Sequence, residues 1–383
     1  MMILLGFEFK KLLEQPMIIG FLILCLVFNM AWIISVDLNK NYLEMVQSFS
    51  LANGSKMTEK TVEQVQELPK ENNQKRLLLS IENSKDELSH TSGSQLGEKV
   101  TDFYQVTEAF KSDLNKKYQL LETSIQTLVS QQAGADLAVV GETMSFFTFI
   151  RNVLLKLLLA EGLIFSLLVG LFASTSESMT KTNKIIFTTK TGRKVQVSKY
   201  ISGLLLSILF FTLVVLATFL FFNLFYPLGT IWNNSMSTQF HFNVYFPGLL
   251  ELPFITWLPM TLATHTLFSI LLSLLLIIVC FSCHFVMGLW LDHLFKGFVV
   301  TVGIVALHKI MVIGAMSKGY WSVFKYLMFS PIEVWENQGY WFTEMGPFSI
   351  LPFQESLVVA VSLISVLGVL LLTYKYYPKK EVL

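Results

Sequence analysis

Charge is what this sequence lacks. Of 383 residues only 14% are Asp, Glu, Lys or Arg, whereas soluble globular domains average roughly 25%. Cysteine is scarce as well: Cys25, Cys280 and Cys283 all lie in apolar stretches, which excludes a disulfide scaffold. The formal net charge of +1 excludes a strongly basic nucleic-acid binder. No HExxH, GxSxG or GxGxxG pattern occurs, and the stretch Gly93 to Lys99 has neither the spacing of a phosphate loop nor a strand before it. Nothing resembles a catalytic site. What is present is apolar: 53% hydrophobic residues and 14% aromatic ones. Such content excludes disorder and leaves a polytopic membrane protein.

A spanning helix needs about 20 mostly apolar residues, because lipid offers the backbone no hydrogen-bond partner. Gln15 to Val36 is a run of 22 without formal charge, Tyr200 to Leu250 one of 51, Leu252 to Leu291 one of 40 and Ser356 to Tyr374 one of 19. Two further runs are interrupted: 148–176 by Arg151, Lys156 and Glu161, and 298–316 by Lys309. Prolines 227, 247, 253 and 259 break the long middle stretch. The expectation is an all-α fold with six transmembrane helices, near 16–36, 150–176, 200–225, 262–290, 298–316 and 356–374. Residues 1–15 precede them as an interfacial helix, 37–145 form an inserted domain, and 146–383 hold the remaining five spans. The first run is longer than a signal-peptide core of roughly 7–15 residues and lacks a small-x-small cleavage pattern, so it reads as a retained helix.

Basic residues set the orientation. With the N-terminus inside, the inner segments hold 12 bases against five acids, while 37–145 holds 11 bases against 16 acids. Both termini are therefore expected in the cytoplasm and 37–145 outside, in a plasma membrane. The cysteine-free outer region fits a bacterium. All seven tryptophans then fall at predicted interfaces, where indole prefers to sit.

Region 37–145 carries 27 charges in 109 positions, the density of a soluble domain. Phe103, Val106, Phe110, Leu114, Tyr118, Leu121, Ile125 and Leu128 recur at steps of three and four, which predicts one long amphipathic helix. A weaker helical stretch runs from Glu59 to Leu88, broken at Pro69, and Ser92-Gly93-Ser94 and Leu96-Gly97 read as the turn between the two. A helical hairpin follows, either a spacer over the outer mouth or a surface for substrate or partner.

Three features within the apolar segments invite function. Cys280-Phe281-Ser282-Cys283-His284 matches the haem-attachment pattern, but inside an apolar helix it reads as chance, with small residues aiding helix packing. Glu161 and Lys309 are charges in spans, where charge points to function by default. From Glu177 and Lys296 the helical rise puts them about 24 Å and about 20 Å above the inner boundary, so an ion pair along a polar path is one expectation. Lys309 snorkelling to the surface is the other. Triplets at Asn53 and Asn233 match glycosylation sequons, which are common by chance.

The inner face is small, and none of its pieces can house a nucleotide-binding domain. Its N-terminal tail is amphipathic, with Leu5, Phe9, Leu12 and Leu13 on one face and Glu8, Lys10, Lys11 and Glu14 on another, so it should lie in the interface before Pro16 admits the first span. The connection 177–199 carries six bases and an apolar insert. It reads either as a docking segment for a partner or as a basic topology anchor.

With FEFKKLLEQP leading into helix one, and the connection from Glu177 through Lys184, Ile185, Ile186, Phe187 and Arg193 to Lys199, the layout resembles the membrane subunit of a type-two ATP-binding-cassette (ABC) exporter. The resembling variant has a large outer domain between helices one and two. Lys190 stands where that family commonly has proline, and the customary Gly-Thr after the acidic residue is absent. The resemblance implies a permease without its own cofactor. Cytoplasmic ATPase subunits would carry ATP and Mg and grip 177–199, a second permease subunit would complete the path, and 317–355 would form re-entrant helices. The competing reading is an ATPase-independent sensor or immunity scaffold whose outer helices bind a partner. An enzyme is disfavoured by the missing nucleophile and metal constellations.

Overall fold

The structure is a computed structural model that describes residues 2–67, 72–82, 88–137, 141–182, 192, 195–245 and 250–376. It is 80% helical and 3% strand, so the chain is an all-α polytopic membrane protein. Helix α1 spans Met2–Leu13, α2 Pro16–Ser35, α3 Lys40–Asn53, α4 Glu59–Gln66, α5 Asn72–Glu82, α6 Gly93–Tyr104 and α7 Glu108–Ser130. Then come α8 (Thr143–Phe149), α9 (Leu155–Met179), α10 (Val195–Phe225), α11 (Leu262–Leu291) and α12 (Leu294–Ser317). Two short helices, α13 (Trp321–Leu327) and α14 (Pro331–Glu336), precede α15 (Gln354–Tyr376).

Among the described residues six helices are long and apolar enough to cross a membrane: α2, the continuous Thr143–Met179 helix, α10, α11, α12 and α15. Each matches an expected span: α2 and α11 stay within their charge-free runs, while the other four extend a few residues past theirs. Local signals mark where α2 and α11 begin. Thr261 and Thr264 exchange side-chain and main-chain hydrogen bonds to start α11, and Pro16 occupies the first turn of α2, where no amide partner is needed. The Thr143–Met179 helix is 37 residues long and contains one π-helical turn, Ile150–Leu154, which joins α8 to α9.

Helix α9 is the centre of the bundle, and its closest neighbour is α11. A Cβ on Gly288 would come within 1.9 Å of Ser174 Oγ, and one on Gly170 within 2.8 Å of the Phe281 carbonyl oxygen. Small residues thus bring the two backbones together, which is how spanning helices associate where lipid supplies no hydrophobic drive. Across the other face of α9, Phe165 stacks on Phe210 of α10 with centroids 3.7 Å apart. Helices α12 and α15 are peripheral: only 17% of their apolar windows is buried, against 56% for the central helix.

The α1 end of the bundle is compact, while the opposite end carries the inserted domain. There the predicted amphipathic face is realised in α7, whose Phe110, Leu114, Tyr118, Leu121, Ile125 and Leu128 are all buried. The expected single helix is instead two. Gln105 adopts φ 49 and closes α6, and Phe103 is left half exposed. The Ser92-Gly93-Ser94 turn is likewise a correction: Ser92 accepts the Gln95 amide as a helix cap, and Gly93 opens α6. Gly93 permits contact rather than a turn, since a Cβ there would lie 2.1 Å from the Tyr118 carbonyl oxygen. Pro69 lies outside the described residues.

An antiparallel hairpin was not anticipated. Strand β1 (Thr238–Tyr245) pairs with β2 (Leu250–Phe254) in the proline-rich connection, Phe242 opposite Pro253. Leu250, Leu252, Pro253 and Phe254 are buried while Glu251 is exposed, so no clean alternation sets the strand apart from the apolar run around it. Lys99 of α6 donates to the Glu251 carbonyl oxygen at 3.3 Å, docking the hairpin on the inserted domain. Trp257, Trp321 and Trp341 are buried and act as core in the connections that hold them, whereas Trp32 and Trp290 remain half exposed.

The domain is locked to the connection between α12 and α15. Lys117 of α7 is fully buried and donates to the carbonyl oxygens of Glu344 at 2.8 Å and Gly346 at 2.5 Å. Its Nζ lies 3.7 Å from the Glu344 carboxylate, which also accepts the Tyr118 hydroxyl at 2.9 Å. Nearby, Lys325 of α13 pairs with Asp113 at 2.7 Å. Burial pulls the Lys117 ammonium down to about 8 from an ordinary 10.5 and pushes Tyr118 well above 10.0. Between pH 8 and 10 the unfolded chain therefore holds a proton on Lys117 that the folded chain releases, and stability rises with pH. The neutral amine still donates to both carbonyl oxygens. Thermal midpoints of the full chain should climb over that window, and Lys117→Met should reduce the climb.

Candidate functional site

The α1 end gathers four charges. Helix α1 packs along α10, and Ser202 donates to the Leu5 carbonyl oxygen at 3.1 Å. Its buried face differs from the expected one. Glu8 and Leu12 are buried, Lys11 is partly so, and Leu13 points outward with Lys10 and Glu14. Glu8 and Lys11 turn inward because a counter-charge awaits them. Lys11 Nζ lies 4.0 Å from Glu8 Oε2 and 3.5 Å from Glu177 Oε1.

Glu177 closes the last turn of α9, and Lys199 occupies the first turns of α10. Their side chains are 4% and 1% exposed, and they form a direct ion pair. Lys199 also donates to Ser176 Oγ at 2.9 Å, and Ser176 donates to Glu177 Oε2 at 3.3 Å. Two carboxylates and two ammonium groups thus balance in a cluster that is buried except at Lys11, its partly exposed edge. Such a cluster stands only because every member is paired: removing one partner of a buried pair typically costs about 3–5 kcal/mol. Chemically it is a clasp. It holds both feet of the 177–199 connection at one point and ties them to α1. Of the expected connection residues, the structure brings Glu177 and Lys199 together, while Lys184, Ile185, Ile186, Phe187 and Arg193 lie outside the described residues. Glu8, Lys11 and Ser176 are additions. The three-residue spacing of Glu8 and Lys11 was a visible signal, masked by reading every charge in the tail as solvent-facing.

Deeper in the bundle, Glu161 and Lys309 do not meet. Glu161 of α9 faces α2 and α10, where Asn29 donates to its Oε2 at 3.0 Å and also to Thr218 Oγ1 at 3.0 Å. Lys309 of α12 instead reaches α14, pairing with Glu333 at 2.5 Å and with Glu336. His308 Nε2 lies 3.2 Å from the same Glu333 oxygen. Equal depth along two helices was a poor guide because α14 brings two carboxylates directly beside Lys309. Lys156 points toward this group as well, donating to the Glu336 carbonyl oxygen at 3.1 Å.

The Cys280-to-His284 motif is a packing element. His284 Nδ1 sits 2.6 Å from the Cys280 carbonyl oxygen, and its Nε2 sits 3.0 Å from Thr301 Oγ1 of α12. Among the described residues no group of three His, Cys, Asp or Glu side chains is placed to hold a metal ion. Neither a protein-family model, nor a curated protein sequence, nor a solved structure matches the chain.

Lys199→Met should lower the thermal midpoint of the purified full chain, because Glu177 would be left buried without its main partner. The double variant Glu177→Leu with Lys199→Leu should recover most of the loss, since well-packed apolar pairs replace buried ion pairs at little cost. For the deeper charges, exchanging Glu161 and Lys309 should give no rescue relative to the single reversals. Exchanging Lys309 and Glu333 should give partial rescue in the same melting assay.

Proposed function

We propose that this chain is the membrane-spanning permease subunit of an ABC exporter, driven by a separate cytoplasmic ATPase that grips the 177–199 connection. One observation carries the reading: the buried Glu177–Lys199 pair, with Glu8 and the partly buried Lys11, ties both feet of that connection to α1. A force applied to the connection would be passed to α1, α9 and α10 together rather than dissipated in a loose loop. In this reading both termini and the clasp lie in the cytoplasm of a bacterium and 37–145 lies outside the plasma membrane. ATP and Mg belong to the ATPase partners, and a second permease subunit, identical or homologous, completes the pathway. Lys184, Ile185, Ile186, Phe187 and Arg193 would form the surface that the ATPase touches, with the apolar trio seated in its groove and the bases facing its acidic rim.

Co-expression with candidate lone ABC ATPases should yield one that co-purifies with the full chain. Phe187→Asp combined with Arg193→Glu should abolish ATP-dependent transport by that complex while leaving the membrane subunit folded. If a verified complex transported normally with both changes, the assignment of 177–199 would be wrong. If none of the ATPases co-purified, the ATPase-independent scaffold reading would take its place.

A further inference from the structure

The end of the bundle opposite α1 holds a pocket of about 520 Å³ that the coupling argument does not use. Its wall is assembled from the last turn of α3, residues 55–56, the turn after α7, residues 230–235 and residues 259–261. Two isolated antiparallel β-bridges frame it, Lys56 with Asp136 and Ser235 with Thr261. Asp136 joins the two bridges. Its Oδ1 takes Lys56 Nζ at 2.7 Å and its Oδ2 accepts the Ser235 amide at 2.8 Å. The formal charges of the wall therefore satisfy each other, and a charged ligand would find no free counter-charge.

Ser235 and Thr261 spend their hydroxyls on the Ser237 carbonyl oxygen and on Thr264, whereas other polar groups of the wall are uncommitted. Ser50 is buried and its Oγ has no hydrogen-bond partner among the described residues. Asn234 is only 6% exposed. Its main chain is used, donating to Ile231 and accepting from Leu262, but its side-chain amide makes no hydrogen bond among the described residues. The side-chain amides of Gln131 and Asn233 are free in the same sense. An amide with no protein partner at the wall of a pocket is placed to exchange water for a ligand amide. Beside these groups the pocket presents Leu51, Pro259 and Met260, and no aromatic ring. Sugars favour aromatic faces to stack on, whereas an extended peptide needs amides for its main chain and an aliphatic surface for a side chain. The volume lies within the roughly 300–1,000 Å³ of small-ligand sites.

We propose that this pocket binds a short, uncharged, extended peptide segment. Asn234 and Gln131 read its main-chain amides, and Leu51 and Pro259 receive an aliphatic side chain. Binding here does not depend on the transport reading, and its test is separate. The full chain in lipid nanodiscs is incubated with a library of short N-acetylated, C-amidated peptides of uncharged residues, and in parallel with neutral oligosaccharides, and retained molecules are quantified by mass spectrometry. Peptides bearing an aliphatic residue should be retained about tenfold or more over empty nanodiscs. Asn234→Ala should reduce that retention severalfold. Asn233→Trp, an exposed position at the mouth, should abolish it with the thermal midpoint unchanged, and it decides the matter if Asn234→Ala fails to fold. Retention of oligosaccharides in place of peptides, peptide retention that survives Asn233→Trp, or no retention at all would each overturn the proposal.

Discussion

A carboxylate and an ammonium group buried at the junction of two spanning helices cannot be separated cheaply, and the α1 end depends on that fact. The Glu177–Lys199 pair fixes where α9 stops and α10 begins. Because its remaining hydrogen-bonding capacity is met by Ser176 and Lys11, it also decides that α1 lies against α10. Without Glu8 and Lys11 turned inward, the cluster would carry fewer satisfied partners, and α1 would have only Leu5, Phe9 and Leu12 to hold it. The amphipathic tail is therefore more than an interfacial float: it is the third member of a charge-balanced joint.

The opposite end solves the same problem with main-chain partners. Lys117 is satisfied chiefly by two carbonyl oxygens, so its position depends on the path of the backbone at 344–346 as much as on the Glu344 carboxylate. Phe110 stacks on Trp321 at 5.4 Å, and Ser124 donates to the Trp257 carbonyl oxygen at 2.9 Å. One helix, α7, thus touches both of the long connections. The inserted domain is not a tethered appendage. It is packed into the same body as the segments that leave and re-enter the bundle.

Much of this was legible in residue order, for identifiable reasons. Spans are written in long charge-free runs, so all six were placed, and the core stripe of α7 is written in a helical period. Glu177 and Lys199 were singled out as the ends of one connection. What stayed hidden involves partners distant in sequence. Glu161 and Lys309 looked complementary by depth, yet Asn29 lies 132 residues before one of them, and Glu333 lies 24 after the other. Periodicity also cannot tell a glycine that bends a chain from one that admits a neighbour, so Gly93 was misread. The β1–β2 hairpin was hidden because buried residues in a short strand look like any other apolar segment.

The close seam between α9 and α11 has a mechanical side. With Ser174 seated where a Cβ on Gly288 would be, the two helices leave no space for a side chain between them and form one continuous seam. Its foot is Glu177, and the far end of α11 is Thr261, on the rim of the pocket that Asp136 braces. The seam therefore runs as one piece from the charge cluster at one end of the protein to the pocket at the other.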